Sequence, residues 1–184
     1  MTTRATRTAL AALAAPALAL VLASGCSTED PSGPPQPTPI GDGPLATADP
    51  CGLLPASAVS TAGLERSTPD AVPNAHPSNF RDCGWRHATD GKTDYQLTVG
   101  IVADPTYPQV PEGDAFAVDQ YRSAGRDGTR LKYTEVDGCQ FVTDTSPRER
   151  VMVLVVALTG GVEQACTLLE KHAAEVVRAL PGGV

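Results

Sequence analysis

Val151-Met152-Val153-Leu154-Val155-Val156-Ala157-Leu158 is eight consecutive apolar residues. A strand with one wet face alternates apolar and polar side chains, and this one does not alternate at all. It therefore reads as a strand buried on both faces, which belongs at the centre of a sheet. Gly160-Gly161 breaks the run, and a helix is expected over about Val162 to Leu180. Val162, Cys166, Leu169, Ala173, Val176 and Leu180 recur at spacings of three and four, which draws one apolar stripe. The stripe carries Cys166 toward the sheet. His172 flanks it beside Leu169 and Val176 and reads as a residue of its buried edge.

Working upstream, Cys139 to Asp144 and Leu131 to Val136 are strand-like runs on either side of Asp137-Gly138, a pair that marks a hairpin turn. Tyr95, Leu97, Val99 and Ile101 alternate with Gln96, Thr98 and Gly100, the cleanest half-buried strand in the chain. Cys83, Trp85 and His87 share one face of a preceding strand, with Asp90-Gly91 as the turn between them. Trp85 then packs over Tyr95 and Leu97 as a core residue. Two helices are expected elsewhere, one from about Pro55 to Leu64 and one over Glu112 to Ala124. The second rests on Ala115, Phe116, Val118 and Tyr121. The stretches Glu65 to Asp82, Asp104 to Gly113 and Gly125 to Thr129 read as loops. No internal repeat is visible.

The N-terminus has a different composition. Arg4 and Arg7 precede a run, Leu10 to Ala23, that is apolar but too short and Ala-rich to span a membrane, and this fits the h-region of a secretory signal. Leu22-Ala23-Ser24-Gly25-Cys26 follows. It resembles the bacterial lipobox, in which the cysteine thiol receives a diacylglyceryl group and the chain is cut just before it; Ala23 stands where Leu or Val is commoner. The reading is a signal peptide over 1–25, with Cys26 as the lipidated first residue of the mature protein. Residues 26–48 form a linker carrying Pro31, Pro34, Pro35, Pro37, Pro39 and Pro44. A spacer of that composition extends roughly 3 Å per residue. One folded domain occupies 49–184, enough chain for one core and not for two.

Charge and cysteine usage bound the function. Loss of Arg4 and Arg7 with the signal takes the formal charge from −7 to −9. An acidic, aromatic-poor chain is unsuited to nucleic acid or anionic head groups, so membrane association would come from the anchor. Setting Cys26 aside leaves Cys51, Cys83, Cys139 and Cys166. An even number in an exported protein implies disulfides, and four cysteines permit three pairings. None stands in a C-x-x-C arrangement. From their positions we pair Cys51 with Cys83 and Cys139 with Cys166.

The order of these features resembles one family. A lipobox and a Pro/Ser/Gly linker lead to Asp49-Pro50-Cys51-x-Leu53-Leu54. Then come Cys83-x-Trp85, Gly138-Cys139, and Cys166 in a helix ending Leu180-Pro181. This is similar to the actinobacterial lipoproteins known only as domain of unknown function 3558. The resemblance implies an actinobacterial host, a place on the outer face of the cytoplasmic membrane, and an α+β domain. That domain would be a single antiparallel sheet flanked by helices, of the Mog1/PsbP-like kind. It implies no catalytic residues.

Motifs for chemistry are absent. There is no G-x-S-x-G, S-x-x-K or H-E-x-x-H, and no phosphate-binding glycine pattern. Asp104, Glu112 and Asp114 read as a solvated acidic loop, and His76 as a solvated loop histidine. No cofactor or metal is expected. The chain is therefore expected to be a non-enzymatic binding module, held on the membrane through Cys26, for an envelope protein or a small apolar ligand. The proline-broken loop with Tyr107 is the first candidate contact. The alternative is an enzyme or accessory subunit acting on cell-wall or lipid material, which would need His87, Asp104 and Arg86 to converge in one cleft.

Overall fold

The computed structural model describes residues 43–67, 80–103 and 115–182. All of them belong to one compact unit, residues 36–184. A 3-10 turn, Pro50–Leu53, and helix α1, Ala56–Thr61, lead into seven strands. These are β1 Leu64–Ser67, β2 Phe80–Thr89, β3 Lys92–Val102, β4 Phe116–Ser123, β5 Arg126–Tyr133, β6 Gly138–Ser146 and β7 Glu149–Ala157. The long helix α2, Gly161–Ala179, closes the fold. The strands form a single antiparallel sheet in the order β1-β2-β3-β7-β6-β5-β4.

The apolar run Val151–Ala157 is the middle strand of seven, but its two faces are not equally enclosed: Met152 and Val156 on the second face are half-buried. Val151, Val153, Val155 and Ala157 face the main core, where Leu97, Val99, Ile101, Cys139 and Phe141 meet Cys166, Leu169, Ala173 and Val176 of α2. On the opposite face Leu154 is buried with Val102, Val142 and Leu131. Each fully buried side chain of this size is worth about 1.5–3 kcal/mol by transfer. A disulfide between Cys139, at the start of β6, and Cys166 on α2 fixes the helix to the sheet. Its placement follows from the apolar stripe that carries Cys166 inward. Leu53, Leu54 and the partly buried Ala58, Val59 and Ala62 add the short helical elements to the same core.

Several expectations change. The segment read as a helix over Glu112–Ala124 is strand β4 where it is described, because each of its eight residues pairs with β5, from Phe116↔Tyr133 to Ser123↔Arg126. The loose pattern of Phe116, Val118 and Tyr121 fits an edge strand: side chains on both faces stay largely exposed. Ala124-Gly125, with φ of 44° and 89°, makes the tight turn into β5, which therefore starts at Arg126 instead of after a loop. Asp137-Gly138 is not a two-residue turn. β5 ends at Tyr133, Lys132 pairs with Cys139, and Gly138 has no positive φ. The Asp-Gly pair that does adopt positive φ at both residues is Asp90-Gly91, at 52° and 77°, between β2 and β3. Leu64, expected to end a helix, and Glu65–Ser67 of the expected loop Glu65–Asp82 pair with β2 as the short edge strand β1, and β2 begins at Phe80.

The folded unit also begins before Asp49. Leu45 is 1% exposed and sits in the main core. Its N–H donates to Glu149 Oε2 at 3.0 Å, while Arg81 Nη2 donates to the carbonyls of Leu45 and Ala46 at 2.8 and 3.0 Å. A buried carboxylate and a guanidinium thus seize the backbone of Gly43–Ala46. Gly43 is required there, since a Cβ would lie 2.1 Å from Glu149 Cδ.

Candidate functional site

The two ends of the sheet differ in chemistry. β7 runs from Glu149, where the N-terminal segment is clamped, to Ala157. At the Ala157 end lies a polar cluster built on the β2–β3 hairpin. His87 and Tyr95 are cross-strand partners with rings stacked 5.1 Å apart and 11° from parallel. A bulge between His87 and Ala88 shifts the register. His87 Nδ1 lies 2.9 Å from Asp94 Oδ2, and Thr89 Oγ1 donates to that same oxygen at 2.5 Å. The Thr89 hydroxyl, and then His87, hold the Asp94 carboxyl below the usual carboxylate range. Asp94 thereby orients the imidazole, whose Cδ2–Nε2 edge lies beside Gly63.

Beneath this pair, Tyr95 reaches α2. Its hydroxyl is 3.1 Å from Nε2 of His172, which is 1% exposed. Burial lowers the His172 pKa to about 4, helped by the charges of Lys171 and His87. The neutral His172 and the Tyr95 phenol share one hydrogen bond through Nε2. The expected buried-edge histidine is thus a fully buried one with a specific partner. Sequence periodicity placed it beside the stripe, but only the fold brings Tyr95 opposite.

Apolar groups are exposed at the same end. Val136, two residues before β6, is 48% exposed, and Leu158, directly after β7, is 52% exposed. Leu158 N–H donates to Asp94 O, and Ala157 N–H to Asp137 O, which tie these residues to the polar cluster. Phe116 and Tyr133 pack edge to face nearby, with centroids 5.9 Å apart. Imidazole, carboxylate and apolar side chains together suit recognition of an amphipathic surface.

The residues expected to converge for catalysis do not all do so. Arg86 and His87 are successive residues of β2 and point to opposite faces; Arg86 pairs with the exposed Glu65 at 3.0 Å. The carboxylate beside His87 is Asp94, from the partner strand, a pairing that only the hairpin register reveals. Tyr107, Asp104, Glu112, Asp114, His76 and Cys26 lie outside the described residues. Among the described residues no three His, Cys, Asp or Glu side chains are grouped to hold a metal ion, and no helix is long and apolar enough to cross a membrane.

A third feature joins the start of the domain to the sheet. Asp49 Oδ1 accepts from Cys51 N at 2.9 Å and caps the 3-10 turn. The turn brings the half-buried Cys51 thiol beside buried Cys83 of β2. Arg66 of β1 lies over Trp85, 5.4 Å from the ring centroid, and donates to Cys83 Sγ. The structure holds one disulfide, Cys139–Cys166, with Cys51 and Cys83 as neighbouring thiols.

An antiparallel seven-stranded sheet covered by one long helix and stapled to it by a disulfide defines an α+β domain. The chain belongs to the family described as protein of unknown function (DUF3558), whose pattern it matches over residues 21–179. No curated protein and no solved structure matches it.

Proposed function

We propose that this protein is an extracytoplasmic lipoprotein whose domain is a non-enzymatic binding module, presented outward on the membrane by a lipid on Cys26. The observation that carries the reading is the polarity of the sheet. The N-terminal segment is clamped by Glu149 and Arg81 at one end of β7, and the exposed Val136 and Leu158 lie with His87 and Asp94 at the other. Nine residues of strand separate these ends by about 30 Å. A tether that starts at one end leaves the other facing away from the membrane, where an envelope partner or apolar ligand meets it. Exposed apolar side chains grouped with a few polar ones are the usual make-up of such a contact.

The finer features of the reading follow from the sequence. The lipobox-like stretch ending at Cys26 makes the membrane the first partner, with an actinobacterial envelope as the setting and a Mog1/PsbP-like relationship for the fold. A second disulfide joins Cys51 and Cys83 in the oxidising exterior, supported by the contact between the two thiols. The test is a Cys26→Ser variant of the full chain, expressed in an actinobacterial host, with fatty-acid labelling and fractionation. The wild type should carry label and sediment with membranes, and the variant should do neither. An unlabelled wild type, or a variant that still sediments fully, would overturn the anchor.

A further inference from the structure

The two sulfur pairs differ in their surroundings. Cys139 and Cys166 are both buried between β6 and α2. Cys51 is half-buried, at the edge of the domain, and only its neighbour Cys83 is enclosed. Arg66 stands at this second pair: it donates to Cys83 Sγ, and Cys51 lies close enough to help hold its charge. The guanidinium is held in place by the Trp85 ring beneath it, its cross-strand neighbour in the β1–β2 register. An accessible sulfur, an enclosed sulfur and a positioned cation thus share one site.

We propose that Cys51 and Cys83 form an exchange-competent redox pair, opened by an external thiolate at Cys51, with Arg66 holding the negative charge that develops on Cys83. This rests on the reading that the two are bonded in the oxidised protein, and adds that the bond is reactive. The external thiolate attacks Cys51 Sγ, because that sulfur is the accessible one. The S–S electron pair moves to Cys83 Sγ, beside the guanidinium, and a mixed disulfide remains on Cys51. A second external thiolate attacks the outer sulfur of that mixed disulfide and releases Cys51 as thiolate. The two protein thiolates take up the two protons that the external thiols gave up. In sum, two external thiols become one disulfide and the protein disulfide becomes a dithiol.

In the reverse direction Cys51 is the nucleophile. Burial, and then contact with Cys51, hold the Cys83 thiol far above the ordinary cysteine range, with the Arg66 charge opposing. Cys83 therefore stays protonated while the Cys51 thiolate attacks an external disulfide and expels one external thiolate; Cys83 then gives its proton to that thiolate and, as thiolate beside Arg66, attacks Cys51 Sγ and expels the second. Cys139–Cys166, shielded by α2, takes no part.

The experiment is graded reduction of the oxidised mature chain by glutathione in native buffer, followed by alkylation and mass mapping. We expect the Cys51–Cys83 bond to open at a thiol concentration about tenfold or more below that needed for Cys139–Cys166. Treated with oxidised glutathione, a Cys83→Ser variant should take up one glutathionyl group at Cys51, releasing one glutathione, and a Cys51→Ser variant none. Arg66→Met should slow opening about tenfold, with Arg66→Lys restoring most of the rate. Should Cys83→Ser fail to fold, alkylation of the partly reduced wild type decides, with Cys51 labelled ahead of Cys83. Opening of both bonds together, only on unfolding, would overturn the proposal, as would an unreactive Cys51 in folded Cys83→Ser. An oxidised chain without a Cys51–Cys83 bond would instead remove the disulfide reading on which it rests.

Discussion

Tyr95 of β3 and His172 of α2 meet across the sheet–helix interface, the phenol oxygen 3.1 Å from Nε2 of a histidine that burial keeps neutral. The bond is a polar contact set inside an apolar seam. The burial of His172 makes the stability of the domain depend on pH. The folded-state pKa of His172 is lowered from 6.5 to about 4, so between those values the unfolded chain binds the proton more readily. Stability should be complete above pH 6.5 and fall as pH drops toward 4, by about 3 kcal/mol from this group alone. Urea unfolding at pH 7, 5.5 and 4 measures the slope. His172→Leu should flatten it while costing roughly 1–3 kcal/mol at pH 7, since it leaves the Tyr95 hydroxyl without its partner. An unchanged slope in that variant would assign the pH dependence elsewhere.

The clamp on the N-terminal segment should be energetically part of the core. Leu45→Ala is expected to cost about 2–5 kcal/mol, as for other fully buried leucines. Gly43→Ala should cost about 1–3 kcal/mol, because its Cβ meets the Glu149 carboxyl, which is itself buried. Thermal unfolding of the mature chain reads both. If neither variant lowers the melting temperature, the domain begins at Asp49 after all.

Cys139–Cys166 closes a loop with a sequence separation of 27. In the chain-entropy account the bond is worth about 3–4 kcal/mol, so Cys139→Ala with Cys166→Ala should lower stability by roughly that amount. Denaturant unfolding of the double variant measures it. A loss below about 1 kcal/mol would mean that native strain offsets the entropy, as in many engineered bridges.

Ala124 gives a prediction of opposite sign. It holds φ of 44° without being glycine, in the turn between β4 and β5. The left-handed region costs an L-residue about 1–2 kcal/mol. Ala124→Gly should therefore raise the melting temperature by a few degrees, unless the loss of the methyl, which packs against the core, outweighs the relief. A lower melting temperature would show that it does.

Much of this fold is legible in the sequence where burial imposes a period. The uninterrupted run Val151–Leu158 determines the central strand, Tyr95–Ile101 its neighbour, and the stripe through Cys166 both the covering helix and one disulfide. Legibility ends at the margins. Phe116–Ser123 is an edge strand with little to bury, so its composition does not distinguish strand from helix, and pairing with β5 decides. Asp137-Gly138 has the composition of a tight turn, but the register of β5 on β6 places the turn earlier. Leu45 stands in proline-rich sequence, and only tertiary contacts with Glu149 and Arg81 give it a role. The polar cluster is half legible: His87 stands out on β2, whereas Asp94 and Thr89 join it through a hairpin bulge that no sequence period reports.

The proposed recognition surface of the tethered module is the Ala157 end of the sheet. Site-specific photo-crosslinking in the full-length protein, in its own membrane, tests it most directly. A crosslinker at Leu158 should give a discrete adduct that Val136→Lys abolishes, while one at Pro147, in the turn between β6 and β7 at the clamped end, should give none. Equal adducts at both positions, or an adduct at Pro147 alone, would contradict the account.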